Sequence, residues 1–284
     1  MKTILLLLTI TCGLVFPYGH SYTFIIRYLI MIMLFFSFLD INFKKDSFQK
    51  SHFIIIIINI ALPVLLFLLL KPFDKNIAEA VYITVAAPTA IAVPVVISLL
   101  KRNIEYSIIS LLFTNFIIAS ILPFTIPYLL KVSGDLSIID IMIPVATVFL
   151  IPFVLAKIIK RFFSEISSRL IRYKDYTFYL LVMNVYLASS KASNYISNEM
   201  TASLSILFFI GIIIFVVCIF QFGIGYLIGE KTYKLESSQC LGQKNNGFTI
   251  WVALTFISPI AALGPVFYIV FQNVYISWQL YRYK

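Results

Sequence analysis

Charge is what this sequence has least of. Only 12% of its 284 residues are Asp, Glu, Lys or Arg, whereas soluble domains carry about twice that fraction. In contrast, 61% of the residues are hydrophobic and the mean hydropathy is +0.99. These values exclude a soluble protein and leave no room for a sizeable soluble domain. We therefore expect an all-α integral membrane protein.

Residues that build metal or catalytic centres are also scarce. The two histidines are predicted at opposite faces of the membrane, His20 in the first outer loop and His52 at the cytoplasmic end of a span. The sequence has no carboxylate cluster at a shared depth and no glycine-rich phosphate loop. Three cysteines (Cys12, Cys218 and Cys240) lie in or next to apolar segments, which argues against a disulfide framework. We expect no metal, no cofactor and no enzymatic activity.

Long apolar runs predict ten membrane spans, each close to the ~20 residues that a helix needs to cross a bilayer. Their approximate limits are 3–18, 23–41, 52–70, 77–99, 105–130, 138–157, 176–192, 202–228, 239–258 and 260–280. The first run, from Met1 to Phe16, also resembles a secretory signal. The many spans that follow favour a first transmembrane helix instead.

Basic residues are distributed unevenly between the predicted loops. With a cytoplasmic N-terminus, sixteen of the 22 basic residues lie on the cytoplasmic side and four on the outer side. The positive-inside rule then places both termini in the cytoplasm. The same bias explains the formal net charge of +10 without a nucleic-acid partner. The most basic loop, 157–174, interleaves these residues with aromatics, which is typical of a short interfacial helix against the lipid bilayer.

An arrangement of five plus five spans makes the two halves of the chain enter the membrane from opposite sides. Any internal repeat must then be inverted. We assign residues 1–136 to a first five-helix repeat and residues 137–284 to a second, within a single membrane domain.

The ninth predicted span opens with a polar stretch, residues 240–247, which reads Cys-Leu-Gly-Gln-Lys-Asn-Asn-Gly. Lys244 lies about five residues into the span, where a lysine costs roughly 2.5–3.5 kcal/mol on insertion scales. One interpretation is that its side chain extends to the cytoplasmic interface. The other is a buried cation that binds an anion or loses its proton. We favour burial, because Gln243, Asn245 and Asn246 would also need partners.

The fourth predicted span contains a second interruption, residues 86–94. Pro88 and Pro94 each remove a backbone donor and disrupt the helix, and small residues such as Thr89 let another helix approach closely. A kinked helix that only packs against its neighbours is the alternative. The two interruptions occupy the fourth span of each set of five. This correspondence predicts an exchange site near the middle of the bilayer, as in secondary transporters built from broken helices.

These residues resemble the bile acid:sodium symporter superfamily over nearly the whole chain. The ninth-span pattern of that family is E-x-G-x-Q-N-[ST]-G, and Gly242, Asn245 and Gly247 match it. The resemblance implies crossed fourth and ninth spans, with a core domain (spans three to five and eight to ten) and a panel domain. The sodium-ligating glutamate and glutamine of the family correspond to Cys240 and Lys244 here.

The fourth-span pattern of the bile acid branch is P-G-G-x-x-S-N, of which this chain retains Pro88. Thr89 and Ala90 replace the glycines, and Val93 and Pro94 replace the Ser-Asn pair. This form resembles a separate bacterial branch, which implies a multi-pass protein of the bacterial inner membrane. Ser107 occupies the position of a sodium-ligating serine of the family, but most other sodium ligands are missing.

We predict a secondary active transporter of a small organic anion that is not coupled to sodium. Lys244 would supply a fixed positive charge for a substrate carboxylate, with protons as an alternative coupling ion. The candidate substrate-binding residues are Lys244, Asn245, Asn246, Gln243, Cys240, Thr89, Pro88, Pro94, Asn59, Ser107, Asn115 and Asn273. Several of these could instead form helix–helix hydrogen bonds. A membrane-embedded lipid-modifying enzyme and a non-transporting membrane protein are the alternative functions.

Overall fold

The structure, a computed structural model, describes residues 2–40, 48–130, 137–198 and 204–283. These residues form helices and no β-strand, with 88% helix, as expected for an all-α membrane protein. The α-helices are α1 (Lys2–Val15), α2 (Ile26–Asp40), α3 (Lys50–Leu70), α4 (Lys75–Val85), α5 (Val93–Leu99), α6 (Ile104–Leu130), α7 (Ile138–Phe162), α8 (Ser164–Ile171), α9 (Thr177–Asn198), α10 (Leu204–Ile228), α11 (Lys234–Gly242), α12 (Asn246–Phe256) and α13 (Pro259–Tyr283).

Six of the described helical stretches are long and apolar enough to cross a membrane. They are Pro17–Leu39, Lys50–Leu70, Ile104–Leu129, Ile138–Phe162, Ser205–Ile228 and Pro259–Tyr283. Their outer faces carry exposed apolar side chains, for example Ile57 on α3 and Phe208 on α10. Exposure of so large an apolar surface to water is unfavourable, whereas contact of the same surface with the hydrocarbon of a bilayer is favourable. The chain is therefore a multi-pass membrane protein.

The helix ends follow from local chemistry. Asp74 accepts a hydrogen bond from the Ile77 N–H at the start of α4. Ser137 and Asp140 form a capping box at the start of α7, in which the side chain of each binds the backbone N–H of the other. These contacts satisfy N–H groups that have no partner within their own helix. A 3-10 helix, Pro17–Ile25, leads into α2 where the sequence predicts a loop.

Both interruptions that the sequence predicts are present. The fourth predicted span divides into α4 and α5, separated by residues 86–92, and the ninth divides into α11 and α12, separated by residues 243–245. Unlike the long helices, α4 and α11 are almost completely enclosed by protein: residues 78–85 and 235–242 are all buried. Irregular backbone at membrane depth requires this enclosure, because lipid offers no hydrogen-bond partner.

The predicted start of the ninth span is wrong. The apolar run suggested residue 239, whereas α11 begins at Lys234, so that Lys244 follows a full half-helix. The run begins late because Glu236, Ser237 and Ser238 are polar, yet all three are buried in protein. A hydropathy scan identifies segments that are compatible with lipid. It therefore misses a polar helix that is enclosed by protein and does not contact lipid.

Some predictions fall outside the described residues. The boundary between the two proposed repeats, at residue 136, adjoins the stretch 131–136, and four of the basic residues used for the orientation (Lys44, Lys45, Lys131 and Lys284) are also outside. The basic loop 157–174 is described: α7 extends into it as far as Phe162, and the short helix α8 follows.

Candidate functional site

The two helix interruptions pair with each other as a short antiparallel bridge, with Thr89 opposite Lys244. The Ala90 N–H donates to the carbonyl oxygen of Gln243 at 2.9 Å, and the Asn245 N–H donates to that of Pro88 at 2.8 Å. These bonds flank the central pair, which leaves the backbone groups of Thr89 and Lys244 pointing away from each other. The two central residues must therefore find other partners.

Helix α6 satisfies the backbone of Thr89. The Thr89 N–H donates to Thr114 Oγ1 at 3.1 Å, and the Thr89 carbonyl accepts from Asn115 Nδ2 at 3.0 Å. Asn115 Nδ2 also donates to the Leu111 carbonyl at 2.7 Å, so that both of its amide hydrogens are used. Both backbone groups of Thr89, the central residue of the first interruption, are therefore hydrogen-bonded.

The backbone of Lys244 is satisfied in the same manner by different residues. Its N–H donates to Gln272 Oε1 on α13 at 3.0 Å. Its carbonyl accepts from the Asn246 N–H at 2.8 Å and from Asn246 Nδ2 at 3.1 Å. Side-chain amides therefore provide hydrogen bonds that a continuous helix would otherwise have provided to this backbone. These bonds matter because an unpaired buried backbone group is costly.

The end of α11 is held by hydroxyl groups. Thr89 Oγ1 donates to the Cys240 carbonyl at 2.7 Å, and the Tyr268 hydroxyl lies 2.7 Å from the Gly242 carbonyl and 2.8 Å from Gln221 Oε1. Helices end with free carbonyl groups, so these contacts stabilise the interruption. Gly242 also allows close packing, because a Cβ there would come within 2.3 Å of the Phe222 ring.

The Lys244 side chain is enclosed, with 1% of its surface exposed. Its ammonium group donates to Asn59 Oδ1 on α3 at 2.6 Å, and no carboxylate pairs with it among the described residues. The side chain therefore does not reach an interface, and the interfacial interpretation is wrong. A neutral amide is its partner, which leaves a buried cation without a counter-charge.

Asn245 and Asn246 begin α12. Asn245 is the N-cap, whose Oδ1 accepts from the Phe248 N–H at 3.4 Å, while its Nδ2 lies 3.4 Å from Asn115 Oδ1. Asn246 Oδ1 is buried and has no hydrogen-bond partner. The start of a helix carries a partial positive charge from its free N–H groups. Together with Lys244, it makes this position electropositive.

The candidate Gln243 faces a chain of amides instead of an open site. Its Nε2 donates to Gln239 Oε1, and Gln239 Nε2 donates to Gln279 Oε1 on α13. Gln279 Nε2 lies 3.4 Å from Ser238 Oγ. This chain accounts for the polar character of α11 and ties the helix to α13.

Asn59, the partner of Lys244, also lines a shallow depression between α3, α4 and α6 whose enclosed volume is only about 10 Å³. The depression is otherwise mostly apolar, and its lining includes Pro63, Tyr82, Ile118 and Leu122. The Tyr82 hydroxyl donates to Thr125 Oγ1 on its α6 side.

Three predicted site residues lie apart from the paired interruptions. Ser107 Oγ donates to the carbonyl of Ile104 within the first turn of α6, at 2.7 Å. Asn273 Nδ2 donates to the carbonyl of Ile269 in its own helix, also at 2.7 Å. Pro94 lies in the first turn of α5, where a missing N–H is harmless.

Sequence reasoning missed Gln272 and Asn184. Gln272 precedes the candidate Asn273, and neighbouring helix residues point about 100° apart, so only the tertiary structure shows which one faces Lys244. Asn184 lies on α9, in the least certain of the predicted spans, and only the structure shows that its amide is buried. No three His, Cys, Asp or Glu residues of the described ranges lie where they could hold a metal ion.

Comparison of the chain with protein-family models finds no match, and comparison with curated proteins finds none either. The resemblance to the bile acid:sodium symporter superfamily rests on the motif residues alone and stays a prediction.

Proposed function

We propose that this protein is a secondary transporter of a small organic anion. The observation that carries the proposal is the buried Lys244 ammonium, whose side-chain partner is the amide oxygen of Asn59. Enclosing a cation without a counter-charge costs several kcal/mol, so such groups in membrane proteins mark the positions of ligands and ions. A substrate carboxylate would supply the missing charge.

The surroundings of Lys244 favour an anion over a cation. The positive end of α12 lies within two residues, and no described carboxylate pairs with the ammonium. Asn59 Nδ2 has no partner and could donate a further hydrogen bond to the same ligand. An anion would thus supply both the opposite charge and the hydrogen-bond acceptors that these groups need.

The proposed architecture is ten transmembrane helices in two inverted five-helix repeats, with crossed broken helices in a core domain beside a panel domain. Its support is the position of the two interruptions, each in the fourth predicted span of its half, and their direct pairing through Thr89 and Lys244. Alternating access by movement of one group of helices against another suits this arrangement. We further propose a bacterial inner-membrane location with both termini cytoplasmic.

Transport is proposed to be independent of sodium. The positions that correspond to the family's carboxylate and amide ligands hold Cys240 and Lys244. Sodium is a hard cation that needs several oxygen ligands, and an adjacent ammonium would repel it. A proton gradient is the alternative driving force.

Uptake into proteoliposomes tests the function directly. Purified protein is reconstituted and presented with a panel of radiolabelled organic anions, with sodium and pH gradients imposed separately. We expect uptake of at least one carboxylate that does not change when potassium replaces sodium. No uptake of any anion under either gradient would contradict the proposed function, and a steep sodium dependence would contradict the coupling alone.

A further inference from the structure

Asn184, on α9, is a fully buried amide without a hydrogen bond. Its exposed fraction is 0%, and neither its Nδ2 nor its Oδ1 has a partner. A buried amide can make several hydrogen bonds, and leaving all of them unmade destabilises the folded protein. Such a group in a described and enclosed region requires an explanation.

Its position supplies one. A Cβ built on Gly247, in the first turn of α12, would lie 3.1 Å from Asn184 Nδ2 and 3.9 Å from Asn245 Oδ1. No other atom outside the local helix would come within 4 Å of it. The Asn184 amide therefore lies directly against the first turn of α12, where even a methyl group on Gly247 would be a tight contact.

Asn246, in the same turn, has an unpartnered and buried Oδ1. Helix α12 is 11 residues long, so its first turn carries the partial positive charge of a full helix end. The unsatisfied groups of this turn and of Asn184 include one amide donor and two amide acceptors. A plain carboxylate has only acceptors and could bond to the donor, but not to the two acceptors.

We propose that Asn184 is a ligand-binding residue of the site at α12, and that the site takes carboxylates bearing a hydroxyl or amino group on the neighbouring carbon. The carboxylate accepts from Asn184 Nδ2 and the helix end, and the added group donates to Asn246 Oδ1 or Asn184 Oδ1. This inference rests on the proposed function, since it concerns the same anion, and it names the substrate class.

Matched acids test the inference by equilibrium binding to the purified protein. The probes are butyrate, octanoate and 3-phenylpropionate, each beside its 2-hydroxy derivative. We expect the 2-hydroxy member of the pair that binds most tightly to have about tenfold higher affinity, because one added hydrogen bond to a buried group is worth about that factor. Asn184→Leu should weaken binding of both acids of a pair, because the carboxylate loses the hydrogen bond from Nδ2. It should also remove the preference, because the carboxylate is no longer held beside the unpartnered acceptors.

Asn198→Leu is the matched control, because Asn198 lies on the same helix with an exposed amide bonded to Asn194. It should keep the preference. If Asn184→Leu does not fold, Gly247→Ala serves instead, since its methyl group would lie 3.1 Å from Asn184 Nδ2 and would crowd the amide. It should abolish the preference as well.

Two results overturn the inference and leave the proposed function standing. In the first, the two acids of every pair bind with equal affinity, and binding still requires Lys244. In the second, the preference for the 2-hydroxy acid persists in both Asn184→Leu and Gly247→Ala. The second result would mean that Asn184 binds only internal water. Failure of all six acids to bind would contradict the proposed function and this inference together.

Discussion

The two helix interruptions meet in one bridge but differ in what they leave unbonded. In the first, the backbone of Thr89 and its hydroxyl all have partners, supplied by α6 and α11. In the second, the backbone of Lys244 is satisfied, but the side chains around it are not. Among the residues that the structure describes, no carboxylate pairs with the ammonium and no group bonds to Asn246 Oδ1.

This difference distinguishes an interruption that stabilises the fold from one that has unpaired groups for a ligand. A fully bonded interruption is stable as it stands and gains nothing from a ligand. An interruption with an uncompensated cation and free amide groups is stabilised by whatever supplies the missing charge and hydrogen bonds. We therefore propose that the first interruption holds the fold and that the second binds the ligand.

The largest expected effect is that of Lys244→Met, which removes the charge but keeps the length of the side chain. Anion uptake should fall about a hundredfold or more, because removing one partner of a buried charge pair costs about 2–5 kcal/mol. The thermal stability of the protein without ligand should stay equal or rise, because a costly buried charge is gone.

Proteoliposome uptake and thermal unfolding in detergent measure the two quantities. Lys71→Met is the control, since Lys71 is an exposed residue after α3, and its uptake should match the unsubstituted protein. Normal transport by Lys244→Met would show that the second interruption is structural as well.

A smaller effect, on stability, is expected from Thr114→Val. This substitution keeps the shape of the side chain but removes the Oγ1 that accepts from the Thr89 N–H, which is buried. The free energy of unfolding should fall by about 1–3 kcal/mol, with little change in anion affinity.

Thr147→Val on α7 is the matched control, because the Thr147 hydroxyl is bonded only to the Ile143 carbonyl of its own helix. Its stability should stay within about 0.5 kcal/mol of the unsubstituted protein. A large loss of anion affinity in Thr114→Val, without loss of stability, would move the first interruption into the binding site.

The smallest effect is expected from a pair of neighbouring substitutions on α13. Gln272→Leu removes the acceptor of the Lys244 N–H and should lower the free energy of unfolding by about 1 kcal/mol. Asn273→Leu should change stability by less than about 0.5 kcal/mol, since its amide bonds only to its own helix. Denaturant unfolding of both variants checks the order, and a reversed order would restore Asn273 as the site residue.

The helix interruptions and their polar residues could be predicted without coordinates, because proline and lysine in an apolar run conflict with a plain membrane helix. For Ser107 and Asn273 the structure shows a hydrogen bond within their own helix, so their role in the site stays a prediction. Polar residues in an apolar helix can either bond to the preceding turn or reach another helix, and the sequence looks the same in both cases. Gln272 and Asn184 show the reverse error, since neither stands out from its neighbours in the sequence.

By itself, the sequence determined that this is a helical membrane protein with two interrupted helices, and that Lys244 is its most unusual residue. These properties depend on composition and on short sequence patterns. Such patterns can be interpreted because polar groups are costly in lipid. Only the tertiary structure decided that the interruptions pair, that α11 is a buried polar helix, and that Lys244 contacts Asn59, a residue 185 positions away. Such contacts arise from packing between segments that are distant in the sequence. A local sequence pattern therefore does not predict which partner a buried amide contacts.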